Sequence, residues 1–160
     1  MRLDRYDIQI LQILQQQGRI TKTDLAQAIN LSVSPCWERV KRLEKAGIIE
    51  GYGARINGQV LSKHTTVLVE ISLNSHSASS MQRFEQAMLA SEHVVDCYAT
   101  GGGVDYVLRV LCDGIDQYQR LMDHWLDSEL GIDKYFTYIV TKTIKHTTSV
   151  TIQDAQGLLS

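Results

Sequence analysis

Proline is almost missing from the chain: 160 residues hold one, Pro35. Cysteine is scarce too. Cys36, Cys97 and Cys112 form no CxxC pair and leave an odd count, which excludes a disulfide scaffold and points to reduced thiols in a cytoplasmic protein. No apolar run approaches the roughly 18 residues that span a bilayer. The charged start Met1-Arg2-Leu3-Asp4-Arg5 does not read as a signal peptide. Histidines 64, 76, 93, 124 and 146 are scattered without metal-ligand spacing, so no metal site is expected. No nucleophile motif appears, and no Ser/His/Asp or Cys/His set can be paired from the sequence, so catalytic residues and enzyme activity are not expected. What remains is ordinary: 44% hydrophobic and 21% charged residues exclude a disordered chain and a coiled-coil rod. The length fits one domain or two small ones.

The net charge of −2 hides an asymmetry. Residues 1–55 carry nine Lys/Arg against six Asp/Glu, net +3, and residues 56–160 carry seven against twelve, net −5. A basic third on an acidic remainder suits a first part that meets a polyanion and a second part that is repelled by it. Random scatter is the alternative.

The first third patterns as three helices. Asp4 can cap a helix whose apolar residues fall at Ile8, Leu11 and Leu14. Gly18 stands where a left-handed exit is expected. Thr21 with Asp24 three residues on offers a second cap, and Leu25, Ala26 and Ile29 form the buried side of a short helix ending near Asn30. After the turn Leu31-Ser32-Val33, the pair Ser34-Pro35 predicts a third start, with Ser as N-cap and Pro at the first helical position. That helix runs to about Lys45 and stops at Gly47.

The third helix carries chemistry. Cys36, Val40 and Leu43 share one face, which leaves Trp37, Glu38, Arg39, Lys41, Arg42 and Lys45 on the others. Four cations on one short helix suit a rod in the DNA major groove, with its N-terminal residues near base edges and Lys/Arg on phosphates. Arg39 can instead brace the helix through an acidic neighbour. A solvated helix with Glu38 paired to Lys41 or Arg42 fits that helix alone equally well. The preceding short helix and tight turn favour a helix-turn-helix.

The remainder alternates differently. Val67, Val69, Ile71 and Leu73 lie on one face of a strand over 65–73. Met81, Phe84, Ala87 and Met88 then form a helical stripe. Strands are expected over 94–100 and 104–112, a second helix through Ile115, Tyr118, Leu121, Met122 and Trp125, and a last strand over 134–145. The order βαββαβ is ferredoxin-like. Its helices cover one sheet face, so the other is expected to pair with a second copy. Gly101-Gly102-Gly103 joins two strands and lacks the GK[ST] ending of a phosphate loop. It is either a plain turn or a ligand loop, whose bare backbone suits a carboxylate while Asp105 suits an ammonium. Asp105 can equally cap the hairpin.

The run Leu31-Ser32-x-Ser34-Pro35-Cys36-Trp37-x-Arg39-Val40-x-Arg42-Leu43-Glu44-x-x-Gly47-Ile48-Ile49 resembles the DNA-binding domain of the Lrp/AsnC family, the leucine-responsive or feast/famine transcription regulators. The resemblance extends to about Ile152. It implies an α+β fold: a winged helix-turn-helix over 1–50, a subunit-pairing linker strand over 51–62, a ferredoxin-like effector-binding and oligomerisation domain over 63–152, and a tail over 153–160. The DNA-binding set is then Ser32, Ser34, Pro35, Trp37, Glu38, Arg39, Lys41, Arg42 and Lys45. Thr100 to Tyr106 matches the family's effector loop, and the effector set is Tyr98, Thr100, Gly101, Gly102, Gly103, Asp105, Tyr135, Thr137 and Tyr138. Many members carry a small hydroxyl residue at the position of Tyr135, a departure that leaves the effector's identity open. The implied partners are double-stranded DNA, an amino acid, and further copies of the chain, as a homodimer assembling to a tetramer or octamer, with no cofactor. Two alternatives stand beside this. One is a ligand-independent architectural DNA-binding protein. The other is a ferredoxin-like metabolic sensor or enzyme whose helix-turn-helix contacts protein.

Overall fold

The computed structural model describes residues 2–54, 56, 64–147, 149, 150 and 152. The chain divides into two compact units, Met1–Arg55 with Lys145–Ser160, and Ile56–Ile144. The return of the chain to the first unit at Lys145 falls inside the span that the resemblance gives to the second domain.

The first unit holds α1 (Arg5–Gln16), α2 (Lys22–Ala28) and α3 (Val33–Lys45). Asp4 caps α1 as expected, its carboxylate accepting from the N–H groups of Tyr6 and Asp7, while the Asp7 carboxylate answers at the Asp4 N–H. This is a capping box with Asp in the place of the usual Glu. The helix ends at Gln16 with Gln17 as its cap, and Gly18 is not among the residues with positive φ. The expected left-handed glycine exit is therefore absent. Thr21 caps α2 through the Asp24 N–H, and Asn30 takes the left-handed turn at φ 56°. α3 begins two residues earlier than Ser34-Pro35 predicts. Ser32 is its N-cap, without a side-chain bond, and Pro35 is the third helical residue. The fold tolerates this because N–H groups of the first turn have no intrahelical partner to lose. Ile10, Leu25, Ile29, Cys36, Val40 and Leu43 close the core between the three helices.

The linker strand expected over 51–62 is not seen where it can be described. Gly51–Ala54 carry no strand, and most of 55–63 lies outside the described residues. Val150 and Ile152 add to this unit: the Val150 N–H donates to Gln15 Oε1 at 2.7 Å, and Ile152 packs against the core.

The second unit runs β1 (Thr65–Leu73), α4 (Ala78–Ala90), β2 (Val94–Ala99), β3 (Tyr106–Cys112), α5 (Ile115–Asp127) and β4 (Ile132–Ile139). The four strands form one antiparallel sheet in the order β2-β3-β1-β4, the ferredoxin-like arrangement that the element order predicts. Val67, Val69, Ile71, Tyr106, Leu108 and Val110 all point to the helix side and are fully buried with Phe84 of α4 and Met122 of α5. The Phe84 and Tyr106 rings meet at 4.6 Å between centroids. Ile115, placed in the α5 stripe by spacing, is exposed. β4 stops at Ile139, six residues before the Lys145 that its β-branched composition suggests. Its partner sets that limit: Val140 N–H bonds the Thr66 carbonyl at 2.9 Å, and β1 begins only one residue further on, at Thr65.

Opposite the helices the sheet is bare among the described residues of its unit. Across it run the rows Tyr98, Val107, Glu70, Phe136 and Asp96, Arg109, Leu68, Tyr138. Leu68, Tyr98, Phe136 and Tyr138 are all exposed. Two polar links cross this apolar face: Arg109 to Asp96, and Tyr138 O–H to Glu70 Oε2 at 3.2 Å.

Candidate DNA interface and effector loop

The α2–turn–α3 pair sets out the helix-turn-helix. Leu31 N–H reaches back to the Ala26 carbonyl at 2.9 Å, closing the turn around left-handed Asn30. The buried stripe Cys36, Val40 and Leu43 fixes the rotation of α3. Ser32, Ser34, Pro35, Glu38, Lys41, Arg42 and Lys45 are exposed, and Trp37 and Arg39 are partly buried. The Lys22 ammonium sits 3.9 Å from the Trp37 ring centroid, tying the start of α2 to α3 by a cation–π contact. Burial raises the Cys36 thiol pKa against an opposing pull from Arg39, so this cysteine stays a packing group.

The four cations of α3 divide. Arg39 Nη1 bonds Asp4 Oδ2 at 2.6 Å and Asp7 Oδ1 at 2.9 Å, and Arg42 Nη2 bonds the two Asp7 oxygens at 2.8 and 2.7 Å. The bond from Asp4 is the main reason that the Arg39 pKa is raised. For Asp4, partial burial works upward, yet the Asp7 N–H and Arg39 together hold its carboxyl below the ordinary range. Lys41 and Lys45 make no ion pair among the described residues, nor does Glu38, so the pairing of Glu38 with Lys41 or Arg42 that the solvated-helix alternative called for is not formed. Bracing through an acid was one of the two readings open for Arg39 from sequence, with neither Asp4 nor Asp7 named as the partner. In the sequence Asp7 looks like a surface residue in the first turn of a helix.

The loop that the resemblance gives to the effector lies between β2 and β3. Thr100 N–H bonds the Asp105 carbonyl at 2.8 Å, and the Thr100 hydroxyl donates to the Val104 carbonyl. Asp105 is anchored on β1: its N–H bonds the Ile71 carbonyl, one carboxylate oxygen accepts the Leu73 N–H at 2.7 Å, and the other meets His76 Nε2 at 2.9 Å. The carboxylate keeps 21% exposure. Gly101, Gly102 and Gly103 are exposed, none has positive φ, and an added Cβ would meet nothing within 4 Å. This chain alone therefore does not require glycine there.

The remaining effector candidates are spread out. Tyr98 lies on β2 and Tyr138 on β4, the opposite edges of the sheet, both on the bare face. At about 4.8 Å per strand those edges are roughly 14 Å apart. Tyr135 and Thr137 project to the helix side, where Thr137 Oγ1 and the Tyr118 hydroxyl share a 2.6 Å hydrogen bond. Tyr135 stands in one row with Ile71 and Tyr106, at the loop's end of the sheet. Thus Tyr98 and Tyr138 do not meet within one sheet, whereas Tyr135 pairs with Ile71, whose carbonyl holds the Asp105 N–H. Nearby, Tyr106 donates to Glu85 at 2.9 Å, and burial together with that carboxylate pushes its phenol up to about 12.

A helix-turn-helix joined to a ferredoxin-like unit with an open loop defines a two-part transcription regulator: one part for DNA, one for a ligand. Comparison with known proteins agrees. Residues 3–50 match a winged helix-turn-helix DNA-binding model, and residues 66–150 match the Lrp/AsnC ligand binding domain. The chain belongs to the Lrp/AsnC family of DNA-binding transcription regulators. It is 59% identical over 155 residues to the Transcriptional regulatory protein DoeX of Halomonas elongata, covering 96% of this chain and 98% of that protein. It is 37% identical to the Leucine-responsive regulatory protein of Haemophilus influenzae, over 91% of this chain and 87% of that one. Among solved structures, a transcriptional regulator of Neisseria meningitidis in complex with L-Met superposes with a TM-score of 0.86 at 32% identity, covering 93% and 96% of the two chains. An AsnC family regulator of Agrobacterium tumefaciens gives 0.87 at 32% identity, over 93% and 97%. These relatives are named as regulators, not enzymes. No helix of the described residues is long and apolar enough to cross a membrane.

Proposed function

We propose that this regulator binds an amino acid at the 100–105 loop and that the ligand changes its DNA binding through assembly, inside the cytoplasm. The observation that carries this is the loop itself: three consecutive exposed glycines that no described residue crowds, beside an anchored carboxylate. Bare backbone suits the α-carboxylate, Asp105 suits the α-ammonium, and Thr100, Tyr135 and Thr137 supply polar neighbours. Because Tyr98 and Tyr138 occupy opposite sheet edges, a pocket that uses both ends draws on more than one copy. The bare apolar sheet face supports a homodimer, which builds further to a tetramer or octamer. The Neisseria relative, solved with L-Met, supports the ligand class. DNA is held by α3, with Ser32, Ser34, Pro35, Trp37 and Glu38 at its leading end and Lys41 and Lys45 on phosphates.

The test is a thermal shift of the full chain against the twenty amino acids. A ligand that binds only the folded state adds about 2.7 kcal/mol of stability at a hundredfold excess over Kd, which raises the melting temperature. A shift by at least one amino acid is expected. If none produces a shift, the sensing reading falls and a ligand-independent architectural protein takes its place.

A further inference from the structure

Asp7 is the one wholly buried charged residue among the described residues. Its Oδ1 accepts from Arg39 and Arg42, and its Oδ2 accepts from Arg42 and from the Asp4 N–H. Asp4 adds a second bond to Arg39. Two carboxylates thus neutralise two guanidinium groups, joining the first turn of α1 to the middle of α3. The arginines themselves are not buried: their side chains remain 25% and 49% exposed. Arg42 stands three residues before Lys45, on the neighbouring turn of the same helix. These arginines therefore reach solvent while their charge is balanced from behind.

We propose that Asp7, helped by Asp4, is a specificity-setting residue that withholds Arg39 and Arg42 from the DNA backbone. Phosphate contacts strengthen binding to any duplex and carry no sequence information. With two of the four α3 cations balanced, Lys41 and Lys45 carry the helix's phosphate attraction. Non-specific binding then stays weak relative to binding at the proper site. Asp7 touches no DNA in this scheme and acts only through the arginines. The proposal rests on α3 facing DNA.

The test is the salt dependence of DNA binding by the full chain, on a random duplex and on the gene's own upstream duplex. Asp7→Asn keeps the shape and removes the charge. The freed arginines are expected to steepen the log–log salt slope on the random duplex by about 1–2, since each phosphate neutralised adds about 0.9. The ratio of specific to non-specific affinity falls with it. Adding Arg39→Gln and Arg42→Gln to that variant returns the slope to its original value. A merely structural role gives a different result: weaker binding to both duplexes with no steeper slope, which overturns the proposal. Should Asp7→Asn fail to fold, Asp4→Asn removes the half-exposed partner of Arg39. A folded Asp4→Asn with the original slope is equally fatal. Lys41→Ala serves as the reference. A shallower slope there beside an unchanged Asp7→Asn overturns the withholding alone, whereas unchanged slopes in both overturn the placement of α3 as well.

Discussion

Replacing Asp105 by Asn separates its structural job from the proposed contact with the ligand. The carboxylate accepts the Leu73 N–H at 2.7 Å and meets His76 at 2.9 Å, so it holds the β2–β3 loop to β1 whether or not a ligand is present. Leu73 is only 5% exposed, and removing its acceptor, as Asp105→Ala does, strands a buried donor at a cost of about 1–3 kcal/mol. Asn retains one oxygen for that donor. The change there is from a charged to a neutral hydrogen bond, about 1 kcal/mol, or some 4–8 °C in a unit of this size. The α-ammonium of the effector loses a charged partner, worth about 1.5–3 kcal/mol, which is roughly 10- to 150-fold in affinity. DNA affinity without effector should stay within about twofold, because the DNA unit folds around its own core. Melting temperature, DNA affinity by fluorescence anisotropy and an effector titration are measured on one preparation. A folded Asp105→Asn protein that responds at the original effector concentration removes Asp105 from the site. Loss of DNA affinity in step with stability makes it a structural anchor alone.

Three further outcomes are expected. Lys41→Ala weakens DNA binding and makes the salt slope shallower by about 0.9; an unchanged slope contradicts α3 as the recognition helix. Phe136→Lys places a charge on the bare sheet face, where Phe136 is 55% exposed, and should halve the mass seen in sedimentation; an unaltered mass places the interface elsewhere. Asp4 is held below its ordinary 3.8 in the folded chain, so its contribution is present above that value and is lost as pH falls through the lower folded pKa. Asp4→Asn should therefore flatten the acid limb of the stability curve below about pH 3.8, and an identical acid limb in both proteins refutes the pairing.

The elements readable from sequence were those whose signal is local. Alternation at Val67, Val69, Ile71 and Leu73 gave β1 its bounds, and the Asp4 and Thr21 caps placed the starts of α1 and α2. Features set by distant partners were not readable. β4 ends where β1 runs out, though its own residues would continue as a strand. Ser34-Pro35 reads as a helix start because Pro suits any first-turn position, and the helix itself starts two residues earlier, at Val33. Asp7 meets Arg39 and Arg42 across 32 and 35 residues, with no local pattern to announce it. The glycine loop was legible as a loop with Asp105 beside it, but the hold of Leu73 and His76 on that carboxylate follows only from the pairing of β1 with β3.

On the proposed function, one chain couples amino-acid binding to DNA binding. Affinity for the gene's own upstream DNA, measured with each of the twenty amino acids in turn, tests it most directly. At least one amino acid should change that affinity about 5- to 150-fold, the range of 1–3 kcal/mol of coupling. Affinity unmoved by all twenty contradicts the claim.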